Sequence, residues 1–216
     1  MPSSATDWLT NLRGRFLVFE GPDGAGKTTQ FVRFRELVRK QGITVCEVRE
    51  PGGTEIGEQI RNILLDPANE NMDLRCEMLL YMASRAQLVA ERIRPALEAG
   101  QLVLADRFIS STLAYQGTAG GLDPAHIQQV ADVAIGKSRP DFVVIFDVDE
   151  ATAAHRLAPL LDRMEQKGSA YHRRVRQGYL DQAKADPDHH LLIDARGEAD
   201  AVFASLCDTL RTATQS

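Results

Sequence analysis

The chain has 216 residues, 44% of them hydrophobic and 25% charged, and a formal net charge of −5. That length supports one α/β domain with a substantial core, and the composition argues against a disordered or fibrous chain. The negative balance disfavours a nucleic-acid binder, whose affinity rests on cationic contacts to phosphates, and no apolar run approaches the roughly 18–20 residues of a membrane helix.

Residues 1–14 read as an N-terminal extension around the single Trp8, without the continuous apolar region of a secretory signal. One domain is expected over 15–216. In chain order, apolar runs predict strands over 15–20, 43–49, 102–106, 142–147 and 191–194. They show little polar alternation, as expected of parallel strands buried on both faces. Helical stripes fall between them. Phe31, Phe34 and Val38 share one face, and Gly42 stands where a C-cap glycine would. Ile56, Ile60, Ile63 and Leu64 form the next stripe, closed by Asp66-Pro67. Leu74, Met78, Tyr81, Arg85 and Leu88 form a third, with an arginine where an apolar residue is expected. Two more are Ile127/Val130/Val133/Ala134 and Val202/Phe203/Leu206/Leu210. This alternation points to an α/β fold of three layers, a central five-stranded parallel sheet with helices on both faces. Cys46, Cys76 and Cys207 are scattered, with neither a disulfide framework nor zinc spacing, which fits reduced thiols in a cytoplasm.

The strongest chemical signal is Gly21-Pro22-Asp23-Gly24-Ala25-Gly26-Lys27-Thr28, which fits G-x-x-x-x-G-K-[ST] between the first strand and the first helix. Glycines let backbone N–H groups converge on phosphate oxygens, and the helix N-terminus adds a favourable dipole. Lys27 is expected on the β- and γ-phosphates of ATP, and the Thr28 hydroxyl on Mg²⁺. There is no N-K-x-D for guanine, so a small-molecule kinase is the simplest reading. Asp106 and Arg107 end the third strand, at the carboxyl edge where open α/β sheets place ligands. Arg107 suits a phosphate; Asp106 either holds Mg²⁺ through water or orients the arginine. Tyr81 and Arg85 lie four apart, on one helix face.

Three ordered segments resemble the thymidylate kinase family: Phe19 to Thr29, Arg49-Glu50-Pro51-Gly52-Gly53-Thr54, and Asp106-Arg107-Phe108 followed by Ser111, Tyr115 and Gln116-Gly117. The likeness runs from Arg15 to about Tyr179. It implies a P-loop kinase that phosphorylates dTMP to dTDP with ATP and magnesium, a short lid over about 153–170, and a cytoplasmic homodimer without nucleic-acid or membrane partners. The same resemblance puts Tyr81 on the thymine face and Arg85 at its O4. Thr112 and Gln116 would face the base edge, Tyr115 the sugar 2′ carbon, Asp23 the 3′-hydroxyl and Arg61 the acceptor phosphate. Glu50 and Ser111 join that acceptor site. Tyr81 stands where the family more often has phenylalanine.

Gly24 occupies the place where one subtype carries a P-loop arginine, so the chain resembles the subtype that supplies it from the lid. The lid candidate runs from His155 to Glu165 and ends in a matching D-R-x-E, with Pro159-Leu160-Leu161 in place of basic residues. Arg163 is the expected catalytic arginine beside Lys27, Arg107 and Asp106, and Arg156 its competitor. Two other readings stay open: a kinase for another nucleotide or for a nucleoside hydroxyl, with Asp23 as base, and a non-catalytic ATP-binding module.

Overall fold

All five apolar runs become strands: β1 Phe16–Glu20, β2 Val45–Arg49, β3 Leu102–Asp106, β4 Phe142–Asp147 and β5 His190–Asp194. The computed structural model describes residues 6–156, 163–164 and 167–215. Lid residues 157–162 and 165–166, and residues 1–5 of the extension, lie outside the described residues. The strands pair in the order β2-β3-β1-β4-β5, all parallel. Pairing brings Leu17 beside Leu104 on one side and Phe142 on the other.

Successive strand residues serve opposite layers. Phe16 and Val18 join Val103, Ala105, Val143 and Ile145 in one core; Leu17 and Phe19 join Leu102, Leu104, Val144 and Phe146 in the other. This is why the runs lack polar alternation. The first core is roofed by α3 (Leu74–Leu88), α6 (Pro124–Ile135) and α8 (Ser169–Ala185), through Met78, Met82, Ile127, Val175 and Tyr179. The second is roofed by α1 (Lys27–Lys40) and α9 (Ala199–Ala213), through Phe34, Val38, Val202 and Leu206.

Capping follows the sequence. Thr54 opens α2 (Glu55–Leu65) by accepting from the Gly57 N–H, and Asp73 opens α3 by accepting from the N–H groups of Arg75 and Cys76. The α3 helix runs through a π turn, Val89–Ile93, into α4 (Arg94–Glu98). The short α5 (Ile109–Thr112) likewise runs into a π turn over Leu113–Ala119, and α7 (Glu150–Arg156) precedes the lid.

Two features differ from the expected pattern. The α2 stripe does not face the core: Leu64 is buried, but Ile56 and Ile63 are 50% and 46% exposed. The helix packs on α3, so one narrow side suffices to dock it. The segment before Gly14 is also more than an appendage. Residues Asp7–Leu12 form a 3₁₀ helix whose Trp8, Leu9 and Leu12 complete the second core. Arg13 donates to the Gly42 carbonyl and Asn11 to that of Thr214, tying the ends of α1 and α9 together.

Candidate active site

The turn from β1 into α1 builds the phosphate loop. Gly24 has φ +79°, and a Cβ there would lie 2.5 Å from the Ala153 carbonyl oxygen of α7. No side chain fits at that position, so an arginine cannot project from the loop in this arrangement. Lys27 is buried, and its Nζ donates to the carbonyls of Gly21 and Pro22, 2.9 Å each. Burial and the neighbouring Arg107 push its pKa down to about 8 against the pull of Asp23, Asp106 and Glu20. Thr28 follows on the first turn of α1 with its side chain exposed.

Arg107 stands just past the end of β3, with φ +71°, a left-handed backbone that costs a non-glycine residue on the order of 1 kcal/mol. Its surroundings hold it there. The guanidinium donates to the Gly21 carbonyl (3.2 Å), Ser111 Oγ (3.0 Å) and Tyr179 O–H (3.1 Å), and forms an ion pair with Asp23. Tyr115 donates its hydroxyl to the other Asp23 oxygen at 2.7 Å. Burial works to raise the Asp23 pKa, but the charges of Arg107 and Lys27 and the Tyr115 hydrogen bond outweigh it and hold it at about 2.

Behind this cluster lies Glu20, which sequence reasoning did not single out. Fully buried at the end of β1, it accepts from the N–H groups of Phe108 (2.7 Å) and Ser111 (3.1 Å), from Ser111 Oγ (2.6 Å) and from the Tyr179 hydroxyl (3.0 Å). It thereby fixes the start of α5 against the strand end. A carboxylate directly before a glycine-rich phosphate loop was the available signal.

A cleft opens beside Arg107, between the carboxyl ends of β2 and β3 and helices α2 and α3. Asp23, Glu50, Arg61, Tyr81, Arg107, Ser111, Thr112, Tyr115 and Gln116 all line it, as does Asp106. Sequence reasoning missed Arg49, Pro51, Leu65 and Met164, which complete the wall. Arg85 is the exception: it is 1% exposed and sits behind the wall. Its Nε donates to Glu50 at 2.7 Å, and Nη2 to the Phe108 carbonyl and to Thr112 Oγ1. Arg85 therefore supports two wall residues, Glu50 and Thr112. Burial pushes the Glu50 pKa up to about 7 against the pull of Arg85.

One oxygen in this region bears on a cation. Asp106 Oδ1 is buried with no hydrogen-bond partner among the described residues. An acceptor oxygen at a strand end, beside a P-loop that ends in an exposed hydroxyl (Thr28), fits a hard divalent ion held through water. Among the described residues no group of three or more His, Cys, Asp or Glu forms a metal site, and a cation shared with substrate phosphates needs none.

Comparison with known proteins agrees with this geometry. A family model described as thymidylate kinase matches residues 19–206. A thymidylate kinase of Desulforudis audaxviator is 45% identical over 206 residues, covering 94% of this chain and 93% of the relative. One from Deinococcus radiodurans is 46% identical over 198 residues, covering 90% and 95%. The solved thymidylate kinase of Ehrlichia chaffeensis superimposes with a TM-score of 0.76 at 32% identity, covering 92% of this chain and 99% of that one. The chain belongs to the thymidylate kinase family.

The two lid arginines of this chain face different places. Arg156 donates to the carbonyl of Ala195 at 2.9 Å and lines a second pocket with Ala25, Gly26 and Gly197, beside the phosphate loop. Arg163 is buried on the acceptor side, bonded to Glu77 (2.6 Å) and to the Leu64 carbonyl (2.7 Å). The arginines of α8 are largely paired within the chain: Arg176 forks onto Asp147, Arg173 reaches Glu150 and Arg174 donates to the Ala119 carbonyl. The α8 tyrosines serve the acceptor wall. Tyr171 donates to the Tyr115 carbonyl, and Tyr179 reaches Arg107, Ser111 and Glu20.

Proposed function

We propose that this enzyme transfers the γ-phosphoryl group of ATP to dTMP, forming dTDP. The observation that carries the reading is the position of Arg107. It touches the phosphate loop at Gly21 and Asp23, and it also lines the cleft walled by Tyr81, Thr112 and Gln116. A cation at that junction serves phosphates from both nucleotides. ATP would lie along the loop, its phosphates on Lys27 and the α1 N-terminus, with its base toward the pocket of Arg156, Ala195 and Gly197. Magnesium, held by Thr28 and through water by Asp106, would supply neutralising charge on the phosphate oxygens.

Phosphoryl transfer has a loose transition state, so positioning and cations do most of the work. The acceptor is a phosphate monoester, anionic near neutral pH because its second pKa is about 6. No general base is required, because the acceptor oxygen already carries negative charge. Asp23, held at about 2, is a poor proton acceptor, which disfavours a hydroxyl-phosphorylating kinase with Asp23 as base. Its role here is to receive the sugar 3′-hydroxyl, with Tyr115 packed beside it.

Three further assignments belong to the same reading. The exposed apolar residues Ile56 and Ile63 of α2, Leu79 of α3 and Val133 of α6 lie on helices that pack side by side, a surface suited to a second copy of the chain. No described helix is long and apolar enough to cross a membrane. Three free thiols fit a reducing compartment, and we place the reaction in the cytoplasm.

A coupled assay with ATP, Mg²⁺ and each nucleoside monophosphate tests the function. The highest kcat/KM is expected with dTMP; equal or better turnover of UMP or CMP would end the thymidine assignment.

A further inference from the structure

The base-reading wall contains one amide, and something must decide which end of it faces the ligand. Gln116 is 2% exposed and its Nε2 donates to Glu77 Oε1 at 2.7 Å. Glu77, on the first turn of α3, is 1% exposed, and its other oxygen accepts from Arg163 Nη2 at 2.6 Å. Lys167 adds a second cation at 3.7 Å. An ion-paired carboxylate has only acceptor sites, so the amide beside it must offer its NH₂. This logic does not depend on telling oxygen from nitrogen by shape, because the reverse orientation would set two acceptors against each other in a buried site. The amide oxygen is thereby left as the acceptor at the wall of the cleft.

We propose that Glu77 is a positioning residue that fixes the polarity of the Gln116 amide, so that the cleft selects a pyrimidine offering a ring N–H over one offering a bare ring nitrogen. The inference rests on the dTMP reading and deepens it. Thymine and uracil carry a hydrogen on N3; cytosine has a lone pair there. Arg163 is part of the same device. Bonded to Glu77 and to the Leu64 carbonyl, it keeps the carboxylate an acceptor, and it carries Met164 into the lining of the same cleft.

The device can be inverted. In Glu77→Gln the new amide keeps its oxygen toward the Arg163 donor and turns its NH₂ toward Gln116. The Gln116 oxygen must then answer it, and the Gln116 NH₂ turns to the cleft. A donor now meets thymine N3–H, while cytosine N3 finds a partner.

The expected result is a rise in KM for dTMP of roughly 10- to 100-fold, since a buried donor left unpaired costs about 1–3 kcal/mol. The ratio of kcat/KM for dCMP over dTMP should rise by at least as much, with KM for ATP changed less than about twofold. In a Gln116→Ala background the same Glu77 substitution should leave the dCMP/dTMP ratio unmoved, because the amide it acts through is gone. An unchanged ratio in Glu77→Gln, or an equal change with and without Gln116, overturns the proposal. Wild-type enzyme that does not phosphorylate dTMP would instead sink the underlying function. If Glu77→Gln does not fold, the wild type decides. The Gln116 side-chain NH₂, assigned by its absence in Gln116→Ala, should exchange with solvent at least about 100-fold more slowly than exposed glutamines. Exchange at the exposed rate refutes the bond on which the device depends.

Discussion

At the scale of single residues, the site is a set of buried charges that constrain one another. Lys27, Arg107 and Asp23 lie within a few bonds of the same loop carbonyls, and Asp23 accepts from both Arg107 and Tyr115. Protein cations thus already contact the loop carbonyls, with the Lys27 ammonium on Gly21 and Pro22. Burial next to Arg107 has a kinetic consequence. A lysine binds phosphate as a cation, and its cation is complete only below its pKa, here about 8. In the free enzyme kcat/KM for ATP should hold steady up to about pH 8 and then fall close to tenfold per unit. The kcat at saturating ATP should persist to higher pH, because bound phosphates favour the protonated amine. Initial rates between pH 6.5 and 10 check this. A flat kcat/KM through pH 9.5 would show that Lys27 keeps its proton. Several of these residues were legible beforehand, because motif spacing fixes what each does to a phosphate. Glu20 and Glu77 were not. Each is a carboxylate whose partners lie about 40 to 160 positions away in the chain, so even where Glu20's place before the phosphate loop was a hint, its partners were not readable.

At the scale of elements, helix faces proved harder to place than strands. A run such as Phe142–Asp147 has little choice, since apolar residues on both sides require cover on both sides. A helix stripe states only that something apolar covers it. For Phe34 and Val38 of α1 that cover is the sheet; for Ile56 and Ile63 of α2 it is nothing within the described residues of this chain. Val133 of α6 is 88% exposed, and Leu79 lies on α3, against which both α2 and α6 pack. Scattered surface leucines need no explanation, but large exposed apolar residues on three helices packed in succession are candidates for a shared contact. If it is the face between two copies, Leu79→Asp should leave a folded chain, because the side chain is 52% exposed and borders no core. It should also halve the mass measured by light scattering at micromolar concentration. A wild-type chain already monomeric at that concentration, or a variant that stays dimeric, would remove this surface from consideration.

At the scale of the whole molecule, the two cores have unequal means of closure. The layer of α3, α6 and α8 carries the acceptor cleft and is covered by long helices throughout. Its roof is fitted closely where it matters. A Cβ on Gly178 of α8 would come within 3.0 Å of Ala114 Cα, so that glycine lets Tyr179 and Tyr171 reach the acceptor wall. Among the described residues the opposite layer is covered mainly by α1 and α9, and Trp8, Leu9 and Leu12 of the segment before β1 complete it. A polar-looking segment with one tryptophan gave little reason to expect this, because three apolar residues in six carry no period that distinguishes a core plug from a tail. The packing makes a definite demand. Leu9 is fully buried, and truncating a buried leucine to alanine typically costs 2–5 kcal/mol. Leu9→Ala should lower the urea midpoint by an amount corresponding to about 2–4 kcal/mol. KM for dTMP should change little, because the plug lies on the far side of the sheet from the cleft. A tail with no share in the core would tolerate the change within about 0.5 kcal/mol, the usual range for surface substitutions. A midpoint within that margin would return residues 7–12 to the status of an extension with no share in closing the second core.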